Sequence, residues 1–104
     1  MKIEQATGER HAVQVEPGIK AGNQKRLRRI EGQIRGLQKM VEEDRYCADI
    51  MIQIASVQEA LRGVGRCLMR NHLRHCASQS IRKSPRDAEA MYDELLDLIY
   101  RHSR

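Results

Sequence analysis

Three side chains of this chain could together hold a soft metal ion: Cys47, His72 and Cys76. His72 and Cys76 stand four residues apart, a spacing that puts both on one face of a helix and lets them grip a single ion. No proline interrupts residues 47–76, and Ile50, Ile54, Val57, Leu61, Val64 and Leu68 recur at steps of four and three. That is the period of an α-helix with one apolar stripe. About 30 helical residues at ~1.5 Å each make a rod of roughly 45 Å, so Cys47 at one tip cannot meet Cys76 at the other within one chain. Across an antiparallel dimer it can, because the start of one rod then lies beside the end of its partner. The spacing thus predicts a site of two thiolates and one imidazole built from two subunits. Such a donor set favours Cu(I) or a similarly thiophilic ion over Mg²⁺ or Ca²⁺. A pair of the HxxxC type also arises by chance on helices, so spacing alone leaves a merely packed pair open. On the helical wheel Cys67 falls off the ligand face and reads as a packing or surface thiol, while His75 falls inside the apolar stripe.

The elements that must position these groups are helical throughout. Residues 23–43 read as a first helix, with Leu27, Ile30, Ile34, Leu37 and Val41 again stepping by three and four. Gly32 and Gly36 within it point either to close approach of another helix or to a tolerated weakness. Glu42-Glu43-Asp44-Arg45 is a short turn in which Asp44 could cap the second helix, which runs from Cys47 to about Gln79. So short a connection makes the two helices an antiparallel hairpin. Ser84-Pro85-Arg86-Asp87 announces a third helix, with Ser as N-cap and Pro in the first turn, ending near Tyr100–His102. Residues 1–22, with Gly8, Pro17, Gly18 and Gly22 and no sustained period, read as a flexible N-terminal arm. The remainder, 23–104, reads as a three-helix domain. His11 in the arm could reach in as a further ligand or simply be exposed.

The chain has 104 residues, no Trp, no Phe and three Tyr, so one protomer has little bulk for a closed core and association is the expected remedy. There is no long apolar run and no signal-peptide pattern, so a cytoplasmic protein is expected, with no membrane partner. Three cysteines in that compartment suit metal ligation or reactivity better than a disulfide framework. The net charge of +5 is unevenly spread: residues 23–41 carry Lys25, Arg26, Arg28, Arg29, Arg35 and Lys39 against Glu31 alone. Most of those cations lie away from the apolar seam and would be repeated in every subunit, a footprint suited to a polyanion such as nucleic acid. A solvated helix face is the plainer reading of the same charge.

The segments RLRRIEGQIRGLQKMVEEDRYC, QIASVQEAL and HLRHC, with the spacing Cys-x24-His-x3-Cys and Tyr46 directly before Cys47, resemble the CsoR/RcnR family of metal- and thiol-responsive transcriptional repressors. The spacing is that of the copper-sensing branch. The likeness covers about half of the chain closely and the third helix more loosely. It implies an all-α, three-helix protomer that forms an antiparallel dimer and then a dimer-of-dimers tetramer. It implies that Cys47 of one protomer binds Cu(I) together with His72 and Cys76 of another. Tyr46 and an acid of the third helix, matched to Glu94 if a two-residue insertion after Cys76 is accepted, would form an outer shell around the ligands. Arg26 and Arg66 match basic positions used on operator DNA, with Lys25, Arg29 and Arg62 as neighbours. The family lacks a helix-turn-helix, so DNA contact would rest on phosphates and groove shape. The expected function is a repressor that binds its operator in the apo form and releases it on Cu(I) binding, derepressing copper-resistance genes. Two alternatives stay open: a nickel- or cobalt-sensing repressor using Ni(II) or Co(II) with an added N-terminal ligand, and a copper-buffering helical protein that never touches DNA. Nothing suggests an enzyme, for no nucleophile–base set or phosphate loop is present.

Overall fold

The computed structural model describes residues 9–102. In chain order the elements are α1 (Pro17–Glu42), α2 (Cys47–Asn71), a π-helical turn (His72–Ala77), α3 (Ser78–Lys83) and α4 (Pro85–His102). Helical backbone is thus gathered into three stretches, 17–42, 47–83 and 85–102, with no strand among the described residues. The all-α, three-helix expectation holds. Two compact units make up the fold: Glu16–Asn71, and the segments before and after it.

The first unit is a hairpin of α1 and α2. Helix α1 starts at Pro17, earlier than the residue-23 start expected from the apolar period. The period is blind to a polar first turn, whereas Pro17 at the helix start presets the backbone angle a helix needs. The first helical bond runs from the Lys20 N–H to the Glu16 carbonyl at 3.0 Å. The expected boundary between arm and domain at 22/23 therefore falls inside α1; what was expected of residues 1–8 lies outside the described residues.

Inside the hairpin Ile30, Val57 and Val64 are buried, and Leu37 and Ala60 pack against them. Of the rest of both predicted stripes, Ile50 is half-buried and Leu27, Ile34, Val41, Ile54, Leu61 and Leu68 are exposed. Two rods touch along a single line, so each stripe is wider than the one partner available within the chain can cover. Gly32 and Gly36 meet no neighbouring helix; a Cβ at Gly36 would find open space.

The turn differs from the expected cap. Asp44 does not cap α2 but closes α1: its N–H donates to the Val41 carbonyl at 3.1 Å, and that of Arg45 to Met40 at 3.0 Å. This pair of bonds is the Schellman closure, which needs a left-handed residue just past the helix. Asp44 supplies it with φ 53°. Helix α2 starts instead from the Tyr46 carbonyl, which accepts the Asp49 and Ile50 N–H groups at 3.0 and 3.2 Å.

In the second unit helical bonding changes register at His72, where the π turn starts, and returns to α at Ser78. The second predicted helix thus reaches Lys83 rather than Gln79, with a widened turn that the heptad pattern does not announce. Ser84 then breaks the path, with φ −165° and ψ 160°. It caps α4 as its sequence predicts: the Asp87 N–H donates to Ser84 Oγ, and Ser84 Oγ to Asp87 Oδ2, both at 3.0 Å. Ala77, Ala88 and Met91 are buried.

Candidate metal centre

His72 opens the π turn and Cys76 lies four residues on, within it. In an α-helix a step of four overshoots one turn; in the wider π turn it falls just short. The two side chains therefore still share a face. One turn after the buried Met91, α4 presents Glu94 to the same place. Arg10, His11, His72, Cys76, Met91 and Glu94 line one concavity.

Glu94 is the hub of this concavity. Its Oε2 lies 2.9 Å from His72 Nε2, and its Oε1 accepts from Arg10 Nη2 at 3.0 Å. The His72 contact is close in distance, yet its direction leaves Nε2, a buried atom, without a well-formed hydrogen bond. We read it as an ion-pair proximity rather than a made bond. A carboxylate can only accept, so a hydrogen bond formed here would place the proton on Nε2. In that tautomer Nδ1 keeps its lone pair. The Arg10 side chain is 82% exposed, so its pairing with Glu94 is a weak surface contact. Cys76 Sγ accepts from the Val13 N–H at 3.4 Å. His11 lies at the rim, its Nε2 3.6 Å from Glu9 Oε1. His75 is half-buried.

The third predicted ligand belongs to the other unit. Cys47 is exposed at the first residue of α2, whose 25 residues span roughly 36 Å to Asn71. Tyr46, just before it, is 73% exposed. Among the described residues no three His, Cys, Asp or Glu side chains converge as a metal site within one chain. The donors nevertheless suit a soft ion: one imidazole and one half-buried thiol on a shared face.

The basic residues expected at DNA all stand exposed on the hairpin: Lys25, Arg26 and Arg29 on α1, Arg62 and Arg66 on α2. Arg26 is held in place, its Nη1 donating to Asn23 Oδ1 at 3.1 Å and to Cys67 Sγ at 3.4 Å. Cys67, expected to be a packing or surface thiol, is therefore the seat of that guanidinium. Arg62 Nε lies 3.8 Å from Glu59 Oε1. Two participants escaped the sequence pattern. Arg10 carries no local signal at all. Asn71 carries one that was open to reading: Ile50, Val57, Val64 and Asn71 follow at steps of seven, so an amide sits in an apolar row.

Residues 20–101 match the family model described as metal-sensitive transcriptional repressor. The copper-sensing transcriptional repressor CsoR of Bacillus subtilis (strain 168) is 46% identical over 79 residues, 76% of each chain. The copper-sensing transcriptional repressor RicR of Mycobacterium tuberculosis is 43% identical over 74% of this chain and 80% of its own. Among solved structures, the copper-sensing repressor CsoR with Cu(I) from Geobacillus thermodenitrificans NG80-2 superposes with a TM-score of 0.75 at 42% identity, covering 90% of this chain and 98% of that one. With the family match spanning most of the chain and the fold in agreement, this protein belongs to the metal-sensitive transcriptional repressors.

Proposed function

We propose that the protein is a copper(I)-responsive repressor that binds operator DNA when metal-free and lets go of it when Cu(I) binds. The observation that carries this reading is the His72–Cys76 pair on the face of one π turn, with Glu94 against His72 Nε2. Cys47 of one protomer completes the set with His72 and Cys76 of another. Bound there, Cu(I) supplies a soft cationic centre that joins two thiolates and one imidazole. This chain's own residues do the rest. Glu94, with Oε2 2.9 Å from His72 Nε2, would hold the ring and leave Nδ1 for the ion, and Tyr46, directly before Cys47, would be the other outer-shell group.

The assembly proposed is an antiparallel dimer paired again into a tetramer. Its support is the uncovered apolar stripe of the hairpin, Leu27, Ile34, Ile54, Leu61 and Leu68. Operator DNA meets Lys25, Arg26, Arg29, Arg62 and Arg66, through phosphates rather than base edges, in the cytoplasm. No described helix is long and apolar enough to cross a membrane.

The experiment is an anaerobic titration with Cu(I), and separately Ni(II), coupled to a mobility shift with DNA from upstream of the protein's own coding region. Cu(I) should release the DNA; release by Ni(II) alone would make the protein a nickel sensor. No shift at any ionic strength would leave a copper buffer. Cys47→Ala and Cys76→Ala should each bind DNA normally and ignore Cu(I), and native-like release by either removes it from the ligand set. Arg26→Ala should weaken DNA binding and flatten its salt dependence by about one unit of log–log slope, with copper affinity unchanged.

A further inference from the structure

The two ends of the unit Glu16–Asn71 are joined by a hydrogen bond from the Glu16 N–H to Asn71 Oδ1 at 3.1 Å. Both covalent links to the other unit, which carries His72 and Cys76, leave from this pair, through the Val15–Glu16 and Asn71–His72 peptide bonds. Asn71 is only 4% exposed, and it continues the row of Ile50, Val57 and Val64. An amide buried at such a position costs stability unless its polar atoms are paired, and a single one in an apolar seam is a known means of fixing register.

The other partner needs the bond as well. Helix α1 has no side-chain cap and no acid in its first turn. Its third residue, where Glu or Gln would reach back to the N–H of the capping residue, is Ile19. The acceptor for Glu16 comes instead from 55 residues away. Asn71 is also the last α-helical residue before the π turn, and His72 is the next.

We propose that Asn71 is the residue that couples the metal site to the DNA-binding helix. This rests on the function proposed above. The register of the turn that begins at His72 sets the direction of the Asn71 side chain one residue earlier. Fixing His72 and Cys76 on one ion fixes that register. The amide then meets or misses the N–H that starts α1, the helix bearing Lys25, Arg26 and Arg29. A bond that is made in one state and missed in the other is the two-state element that coupling requires. One hydrogen bond is a lever of roughly tenfold.

The test uses the full chain, metal-free and loaded with Cu(I), measuring DNA affinity at fixed ionic strength and Cu(I) affinity by chelator competition. Asn71→Ala removes the acceptor, whereas Asn71→Asp keeps one of the same shape. Glu16→Pro removes the donor from the other side, and its ring suits the φ of −62° found there. Glu16→Ala keeps the N–H. Asn71→Ala and Glu16→Pro should each leave copper affinity and metal-free DNA affinity within about threefold of native, yet cut the copper-driven loss of DNA affinity at least about fivefold. The two conservative variants should keep it. A structural role alone would move both affinities together and spare the ratio, and a native ratio in Asn71→Ala and Glu16→Pro overturns the proposal. Should Asn71→Ala not fold, Glu16→Pro decides. Hydrogen exchange of the native Glu16 amide gives a reading that needs no DNA: protection should differ about tenfold or more between the two forms, and equal protection refutes the coupling. If the native protein itself releases no DNA with Cu(I), the proposed function has failed, and the exchange comparison alone still judges Asn71.

Discussion

A carboxylate set against an imidazole does two things at once: it decides which ring nitrogen holds the proton and it fixes the plane of the ring. Glu94 is placed to do both for His72, its Oε2 lying 2.9 Å from Nε2, once a well-formed hydrogen bond closes there. Glu94→Leu should therefore weaken Cu(I) binding by about 10- to 100-fold, the usual effect of removing an outer-shell partner. Chelator competition reads this directly, and unchanged affinity would reduce Glu94 to a surface acid. Arg10→Ala should shift that affinity far less, since a side chain so exposed contributes on the order of 0–1 kcal/mol through its ion pair. At this scale the sequence was readable in part. The i, i+4 spacing named His72 and Cys76, whereas Glu94 came only through the family resemblance, because the path from Cys76 to α4 depends on the π turn and the break at Ser84. Arg10 was beyond reach, since its partner Glu94 is 84 residues away.

The hairpin turn shows how an element can be stopped by an unpromising residue. Asp44 adopts the left-handed conformation that glycine takes without strain. Asp44→Gly should leave thermal stability unchanged or raise it by up to about 1 kcal/mol. Asp44→Val, β-branched and poorly suited to positive φ, should lower it by about 1–2 kcal/mol. Melting of the two variants in parallel checks the sign of each. The positions of all three helices were legible because apolar residues at steps of three and four leave little choice, and because Ser-Pro-x-Asp is an unambiguous start. The beginning of α1 was not, since its first turn, Pro17 to Lys20, buries too little to leave a periodic trace. The π turn was hidden for another reason: it inserts no proline or glycine, so nothing in composition distinguishes it from continuing α-helix.

For the molecule as a whole the decisive quantities are charge and uncovered apolar area. The proposed assembly multiplies the net charge of +5 carried by each chain, which would speed encounter with DNA and make it sensitive to salt. Leu61→Glu, placed on the open stripe of α2, should dissociate the assembly, and sedimentation of native and variant protein at equal concentration reports it. An unchanged mass would show that this stripe is not where protomers meet. Losing the assembly should also abolish Cu(I) binding at the three-donor site, although every ligand residue is intact.

In the proposed assembly, a hairpin whose Leu27, Ile54, Leu61 and Leu68 are exposed within one chain draws much of its folding energy from its neighbours rather than from itself. Dilution then acts on this protein as a denaturant would. Its melting temperature should climb with concentration, and a cell holding only a few copies would keep fewer of them folded and able to respond.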